Sequence, residues 1–392
     1  MRDSLKVTPP SSPLTGRAAI VHDWFQGYHG AERVADVMRT GLFAQGSEPD
    51  IYTFMAARDL LPPELARSIV KESRLAKIPG IRQREHNPGR WRYLLPYMPH
   101  YFRSLDLDDY DIVISSAHAC AAHVRPRSDA LHAVYCYTPM RYAWMPETDE
   151  RQVGRLGGMV FERFRAWLRK VDREAAQRPD LYLAISTAVQ ERIRRFYGRE
   201  SIVVGAPVDV EDISPTQPKD ESMFLWVHRL VPYKRPELVL EAFRGLPYKL
   251  TMVGIGPLEQ TIRERLPPNV ELLTWVSRET LVRLYERAGG FVHVGEEDFG
   301  ITMVEALAAG TPVIALKGGG ACDIVRHGVD GLLIEEPSTK HLRAAIREVA
   351  GQRWGRPALA ERARQFSRDH FIRRVLEPLR EGISSADSHA RQ

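Results

Sequence analysis

The chain is 392 residues long, 44% apolar and 27% charged, with a formal net charge of +5. That length and balance fit a soluble protein of two domains. No window approaches 18 uninterrupted apolar residues, which argues against a membrane-spanning helix, and three scattered cysteines (Cys120, Cys136, Cys322) with no Cys-x-x-Cys argue against a disulfide framework or a zinc site.

The opening stretch, MRDSLKVTPPSSPLTGR, has no apolar core and reads as a disordered tail, not a secretory signal. A reducing cytoplasm is the expected compartment. The first predicted strand is Ala18–Val21, ending at His22-Asp23-Trp24. A loop with Gly27 and Gly30 then leads into a helix from about Ala31. Glycines there let backbone approach a ligand closely, although strand, glycine loop and helix also make any βα unit.

From Arg74 to Arg103 seven basic residues face one acid, Glu85, with aromatic and aliphatic residues interleaved. This mixture suits the headgroup zone of an anionic membrane and equally a helical hairpin with snorkelling arginines. No nucleic-acid motif accompanies the basic charge.

Strands are predicted at Ile112–Ser115, Ala133–Tyr137 and Tyr182–Ile185, with helical patterns between them. The first ends in Ser115-Ser116-Ala117-His118, which puts an imidazole at a strand's carboxyl end. There it either meets a backbone partner or hydrogen-bonds a sugar hydroxyl. The second runs into Tyr135-Cys-Tyr-Thr-Pro-Met-Arg-Tyr-Ala-Trp144, whose Arg141, Tyr142 and Trp144 either line an acceptor channel or pack the loop. Asp23, Tyr137, Arg141 and Tyr142 are the candidate acceptor-binding residues. Ala206–Ser222, polar and carrying Pro207, Pro215 and Pro218, reads as a linker.

Beyond it, strands are predicted at Phe224–Val227, Leu250–Val253, Glu271–Thr274, Phe291–Val294 and Pro312–Leu316. Alternation with helices argues for parallel sheets covered on both faces. The expected architecture is α/β: two Rossmann-like domains, 17–206 and 207–370, whose sheets face a central cleft. A C-terminal helix at about 371–384 is expected to pack back on the first domain.

Two segments carry the chemistry. In FLWVHRLVPYKRP (224–236), Pro232 argues against regular helix, so Arg229 and Lys234 fall on the loop after a strand. A guanidinium fork and an ammonium there suit a diphosphate. In EDFGITMVE (297–305) two glutamates flank a helix start, where backbone N–H groups favour phosphate and carboxylates grip hydroxyls. Thr302 and Glu305 also fit a capping box, which would only secure the helix.

Together these residues resemble glycosyltransferase family 4, the retaining group with the GT-B fold, over roughly Ala18 to Leu379. The HDW…GAERV opening, the SSAHA segment and the Tyr-Thr-Pro-Met-Arg-Tyr-Ala-Trp run are most similar to bacterial O-antigen and exopolysaccharide mannosyltransferases. The resemblance implies that Arg229 and Lys234 hold the donor diphosphate, that Glu297 binds the transferred sugar and that Glu305 binds the ribose. Backbone at Phe299, Gly300 and Ile301 would contact sugar and phosphate. Gly30 would line the phosphate side, His118 would sit over the reacting sugar, and the turn around Val276 would cradle the base. His118, Glu297, Arg229 and Lys234 form the implied catalytic set.

The implied donor is GDP-mannose and the implied acceptor a lipid-linked glycan, met from the cytoplasm at the inner membrane face. No cofactor or metal is expected: no Asp-x-Asp metal motif is apparent in either of the two segments that carry the chemistry, and two cations already face the leaving group. Two positions depart from the family pattern, His29 where Gly is usual and His228 before Arg229. A sugar-nucleotide epimerase or hydrolase, a non-catalytic binding protein and a paired-carboxylate glycosidase are the alternatives.

Overall fold

A computed structural model describes residues 13–81, 91–145 and 155–390. Its contacts divide the chain into two units. The first comprises Met1–Ile185, Val189–Val204 and Phe371–Gln392, and the second Ser186–Ala188 and Gly205–His370.

In the first unit the described strands are β1 (Ala18–His22), β2 (Asp50–Thr53), β3 (Ile69–Glu72), β4 (Ile112–Ala117), β5 (Leu131–Cys136), β6 (Leu181–Ala184) and β7 (Ile202–Val203). They form one parallel sheet in the order β3-β2-β1-β4-β5-β6-β7. Every residue of β1, β4 and β5 is buried, as strands covered by helices on both faces require. The helix Arg368–Ala390 belongs to this unit from Phe371 onward, where the Phe371 ring packs edge-on to Tyr135 at 5.7 Å between centroids.

The second unit holds β8 (Asp220–Val227), β9 (Lys249–Val253), β10 (Val270–Leu273), β11 (Ala288–His293), β12 (Val313–Leu316) and β13 (Gly331–Ile334). These pair in parallel in the order β10-β9-β8-β11-β12-β13. Its core joins Phe224, Trp226, Phe243, Met252 and Val292 with Ile346 from the helix Thr339–Gly351.

Both sheets are doubly wound, and in each the strand order reverses once, between β1 and β4 in the first unit and between β8 and β11 in the second. Loops leaving the carboxyl ends of such a pair splay apart and leave a crevice, the place where open α/β sheets take their ligands.

Candidate functional site

In the second unit the segments after β8 and β11 converge. β8 ends at Val227, and its continuation folds into a tight turn at Pro232–Lys234. The Lys234 and Arg235 amides donate to the carbonyls of Val231 (3.1 Å) and Pro232 (2.9 Å). Arg235, squeezed between this turn and Pro236 of the next helix, has φ 54° and ψ 46°, and among the described residues no other non-glycine has positive φ. A left-handed arginine costs roughly 1–2 kcal/mol. The turn it permits carries Lys234 inward, where the side chain is 4% exposed and its ammonium contacts Glu297 Oε1. Burying an ammonium requires such a counter-charge. Arg229, two residues after β8, stays exposed.

Glu297 sits on the loop after β11, its side chain 26% exposed. The loop is fixed from behind by a run of three glycines. Gly320 N–H donates to the Glu297 carbonyl at 2.9 Å. A Cβ on Gly319 would lie 1.9 Å from that same carbonyl, and one on Gly320 2.2 Å from the Phe299 carbonyl, so no larger residue fits. Phe299 is buried against Phe366. Gly300 (φ 111°) turns the chain into the helix Ile301–Ala308.

That geometry excludes the capping box. The N-cap is Gly300, Thr302 lies inside the helix with its hydroxyl unpartnered, and Glu305 points elsewhere. The Glu305 carboxylate accepts from Arg278 Nη1 at 2.5 Å and Tyr285 Oη at 3.1 Å. The ion pair raises the Arg278 pKa against the opposing effect of partial burial. Arg278 opens the helix Arg278–Arg287, capped by Ser277, whose hydroxyl accepts from Thr280 N–H at 3.2 Å. Val276 is half-buried in the turn before it.

In the first unit, the loops after β1 and β4 meet in the same way. The fully buried Asp23 accepts four backbone N–H groups. His118 and Ala119 donate to Oδ2 at 2.7 and 2.8 Å, and Cys120 and Ala121 to Oδ1 at 2.6 and 2.7 Å. This corrects the expectation that Asp23 touches an acceptor: both oxygens are committed to holding the turn that presents His118. The His118 ring lies edge-on to Trp24 (4.4 Å) with Nδ1 3.6 Å from Asp23 Oδ2. Burial lowers its pKa, Asp23 opposes that, and the Arg141 guanidinium adds to the lowering, so the imidazole is neutral at pH 7.

Tyr137 needs a second correction. Its hydroxyl donates to the Ala31 carbonyl at 2.8 Å and lies 2.9 Å from Ser116 Oγ, which in turn is 3.0 Å from His22 Nδ1. The ring is buried, so Tyr137 ties β4 and β5 to the start of the helix Gly30–Gly41 and leaves no group for an acceptor. Gly30 begins that helix, while His29 carries an exposed side chain whose Nε2 would lie 2.7 Å from a Cβ on Gly27.

Trp144 also packs. Its Nε1 donates to Asp172 at 2.7 Å and its ring stacks on Phe196. Arg141 and Tyr142, in the same short helix, are half-buried. Part of the basic-aromatic segment, residues 82–90, lies outside the described residues. In the rest, Leu94, Leu95, Met98 and Phe102 are buried, whereas Tyr93 and Tyr97 are 77% and 59% exposed.

Sequence reading missed Arg278 as the partner of Glu305, the glycine run Gly318–Gly320 and the buried His293. Only the glycine run had a visible signal.

Among the described residues no cluster of His, Cys, Asp and Glu is arranged to hold a metal, and no helix is long and apolar enough to cross a membrane.

Two doubly wound parallel units in one chain, each bringing polar side chains to its switch point, have the GT-B fold of nucleotide-sugar-dependent glycosyltransferases. Residues 28–212 match the family Glycosyltransferase Family 4, and residues 209–368 match Glycosyl transferases group 1. The chain thus carries one domain matching each of these two families, side by side over residues 28–368.

An uncharacterized glycosyltransferase of Methanocaldococcus jannaschii is 26% identical over 52% of this chain and 61% of its own length. The D-inositol 3-phosphate glycosyltransferase of Mycolicibacterium smegmatis is 32% identical over 41% of this chain and 40% of its own. The chain thus spans about half the length of these curated relatives. Anabaena Alr3699/HepE, solved in complex with UDP, superposes with a TM-score of 0.65 at 16% identity, covering 94% of this chain and 100% of that one.

Proposed function

We propose that the protein transfers a hexosyl group from a nucleoside-diphosphate sugar to a glycan acceptor, with retention of anomeric configuration. The observation that carries this reading is the convergence of Lys234, Glu297 and the N-terminus of Ile301–Ala308 at the switch point of the second unit. The second unit is the donor domain and the first the acceptor domain.

Arg229 and Lys234 take the diphosphate, and Glu297 takes hydroxyls of the sugar. Phe299, Gly300 and Ile301 offer backbone N–H groups to the sugar and phosphate. Glu305, steadied by Arg278, takes the ribose, and the turn at Val276 borders the base. From the first unit come Gly30 on the phosphate side, His118 at the reacting sugar, and Arg141 and Tyr142 toward the acceptor.

The reaction is a front-face displacement. The bond from the anomeric carbon to the leaving phosphate oxygen breaks, and the acceptor oxygen bonds to that carbon on the same face. Its proton goes to the departing diphosphate oxygen. Arg229, Lys234 and the helix N-terminus stabilise the charge that grows there, and fixed groups do so without reorganising. No metal ion enters this scheme.

GDP-mannose is the donor favoured by the sequence resemblance, and a lipid-linked glycan the acceptor. Exposed Ile78, Tyr93 and Tyr97, with exposed Arg74 and Lys77 in the same basic-aromatic segment, support contact with an anionic bilayer surface on the cytoplasmic side.

The test is calorimetric titration with GDP-mannose, UDP-glucose, UDP-N-acetylglucosamine and dTDP-rhamnose, repeated with excess chelator. One clear binder, unaffected by chelator and weakened in Lys234→Ala, supports the reading. Binding of none rejects it, and loss of binding with chelator rejects the metal-free scheme.

A further inference from the structure

Directly behind Glu297 lies a buried group that the proposed chemistry leaves unused. His293 is the last residue of β11, its side chain 1% exposed, with Nε2 3.7 Å from Glu297 Oε2. Neither of its ring nitrogens hydrogen-bonds a side chain, and only the Gly295 backbone bears on it, opposing the lowering of its pKa. The ring is held edge-on against buried His228 at 4.5 Å, and His228 in turn against Trp226 at 4.9 Å. A buried imidazole without a side-chain partner is costly to keep, and an apolar ring of the same shape would fill the space.

The neighbourhood gives it a use. Glu297 rests on Lys234. An arriving diphosphate competes for that ammonium, and the carboxylate is then left next to an anion. A neutral N–H can steady it there without drawing the diphosphate away. Burial and Lys234 both keep His293 neutral, with its pKa lowered to about 3. A Cβ on Gly300 would lie 3.6 Å from Oε2, so the glycine itself puts no side chain against that oxygen.

We propose that His293 is a positioning residue: its Nε2–H takes hold of Glu297 Oε2 when Lys234 turns to the donor diphosphate, and so aims the carboxylate at the sugar. This rests on the reading of Glu297 as the sugar-binding carboxylate.

The experiment compares the full chain with His293→Phe and His293→Gln by calorimetry at pH 7.5, using the nucleotide sugar that the wild type binds and its free nucleoside diphosphate. The Phe variant should lose about ten-fold in affinity for the nucleotide sugar, the loss of one charge-assisted contact, with unchanged affinity for the nucleoside diphosphate. The Gln variant, which restores an N–H donor, should recover most of the loss. Should the Phe variant not fold, His293→Leu carries the same expectation.

Equal loss for both ligands would reveal a structural role and overturn the proposal, as would unchanged binding or a Gln variant no better than Phe. A wild type that binds no nucleotide sugar in the panel overturns the proposed function and this inference with it. A wild type that binds normally beside an indifferent Phe variant overturns the inference alone.

Discussion

The ammonium of Lys234 and the carboxylate of Glu297 are in direct contact, although they stand on loops from two different strands, β8 and β11. Each neutralises the other. On the proposed reading, donor binding exchanges this ion pair for two new contacts, diphosphate to Lys234 and hydroxyl to Glu297.

Separate variants should resolve the two halves of that exchange. Lys234→Ala removes a charge-assisted contact worth roughly 1.5–3 kcal/mol, or about one to two decades in kcat/KM. Glu297→Gln keeps the shape, frees Lys234 and should lower turnover more than nucleoside-diphosphate affinity. Steady-state kinetics with calorimetry on both variants checks this. A Glu297→Gln variant that no longer binds the nucleoside diphosphate would contradict the sugar-side role.

The glycines behind the Glu297 loop give a test with an internal control. Gly319 (φ 55°) and Gly328 (φ 77°) both have left-handed backbone, but a Cβ on Gly319 meets the Glu297 carbonyl whereas one on Gly328 meets nothing within 4 Å. Gly328→Ala should cost only the backbone penalty, roughly 1–2 kcal/mol, and leave donor affinity intact. Gly319→Ala must also push the loop, so it should weaken nucleotide-sugar binding at least about ten-fold, in line with the cost of overpacking. Thermal unfolding and titration of the pair separate the two effects, and equal binding would contradict the support role of the glycine run.

Much of this arrangement was legible in the sequence because its signals are local. Phe224–Val227 is an apolar run with Pro232 and two cations just beyond, and such a run has few ways to fold other than a buried strand and its exit loop. β3, β7 and β13 were not legible. They are short edge strands, and β3 buries only its first residue, so no apolar pattern marks it. β2 was missed as well, a four-residue strand too brief for alternation to show. Partnerships across the sheet are harder still. Asp23 and the turn at 118–121 are about 95 residues apart, and nothing in either segment signals that four amides would converge on one carboxylate. An acidic residue at a strand end looks the same whether it meets a substrate or a neighbouring loop.

That convergence makes Asp23 a stability residue. Asp23→Asn keeps the shape but turns an amide NH₂ toward amides that donate. The cost should be roughly 2–4 kcal/mol, lowering Tm by about 5–15 °C. An exposed ligand-binding carboxylate would show almost no change in Tm, so differential scanning fluorimetry distinguishes the two roles directly.

Acid should destabilise the protein through its buried histidines. His293 and His132 each have a pKa lowered to about 3, chiefly by burial, and Lys234 adds to the effect on His293 while Arg178 does so on His132. For such a group the unfolded chain takes up a proton near pH 6.5 while the folded chain resists until about pH 3. Between those values the unfolded state binds more protons, so stability falls as pH falls, by up to about 1.4 kcal/mol per pH unit for each group. His293→Phe removes one of these groups. Tm should therefore drop less steeply from pH 7 to pH 5 in that variant than in the wild type, and the gap between them should change steadily in the variant's favour. Parallel curves across the window would mean that His293 takes up its proton in the folded state and is not held neutral beside Lys234.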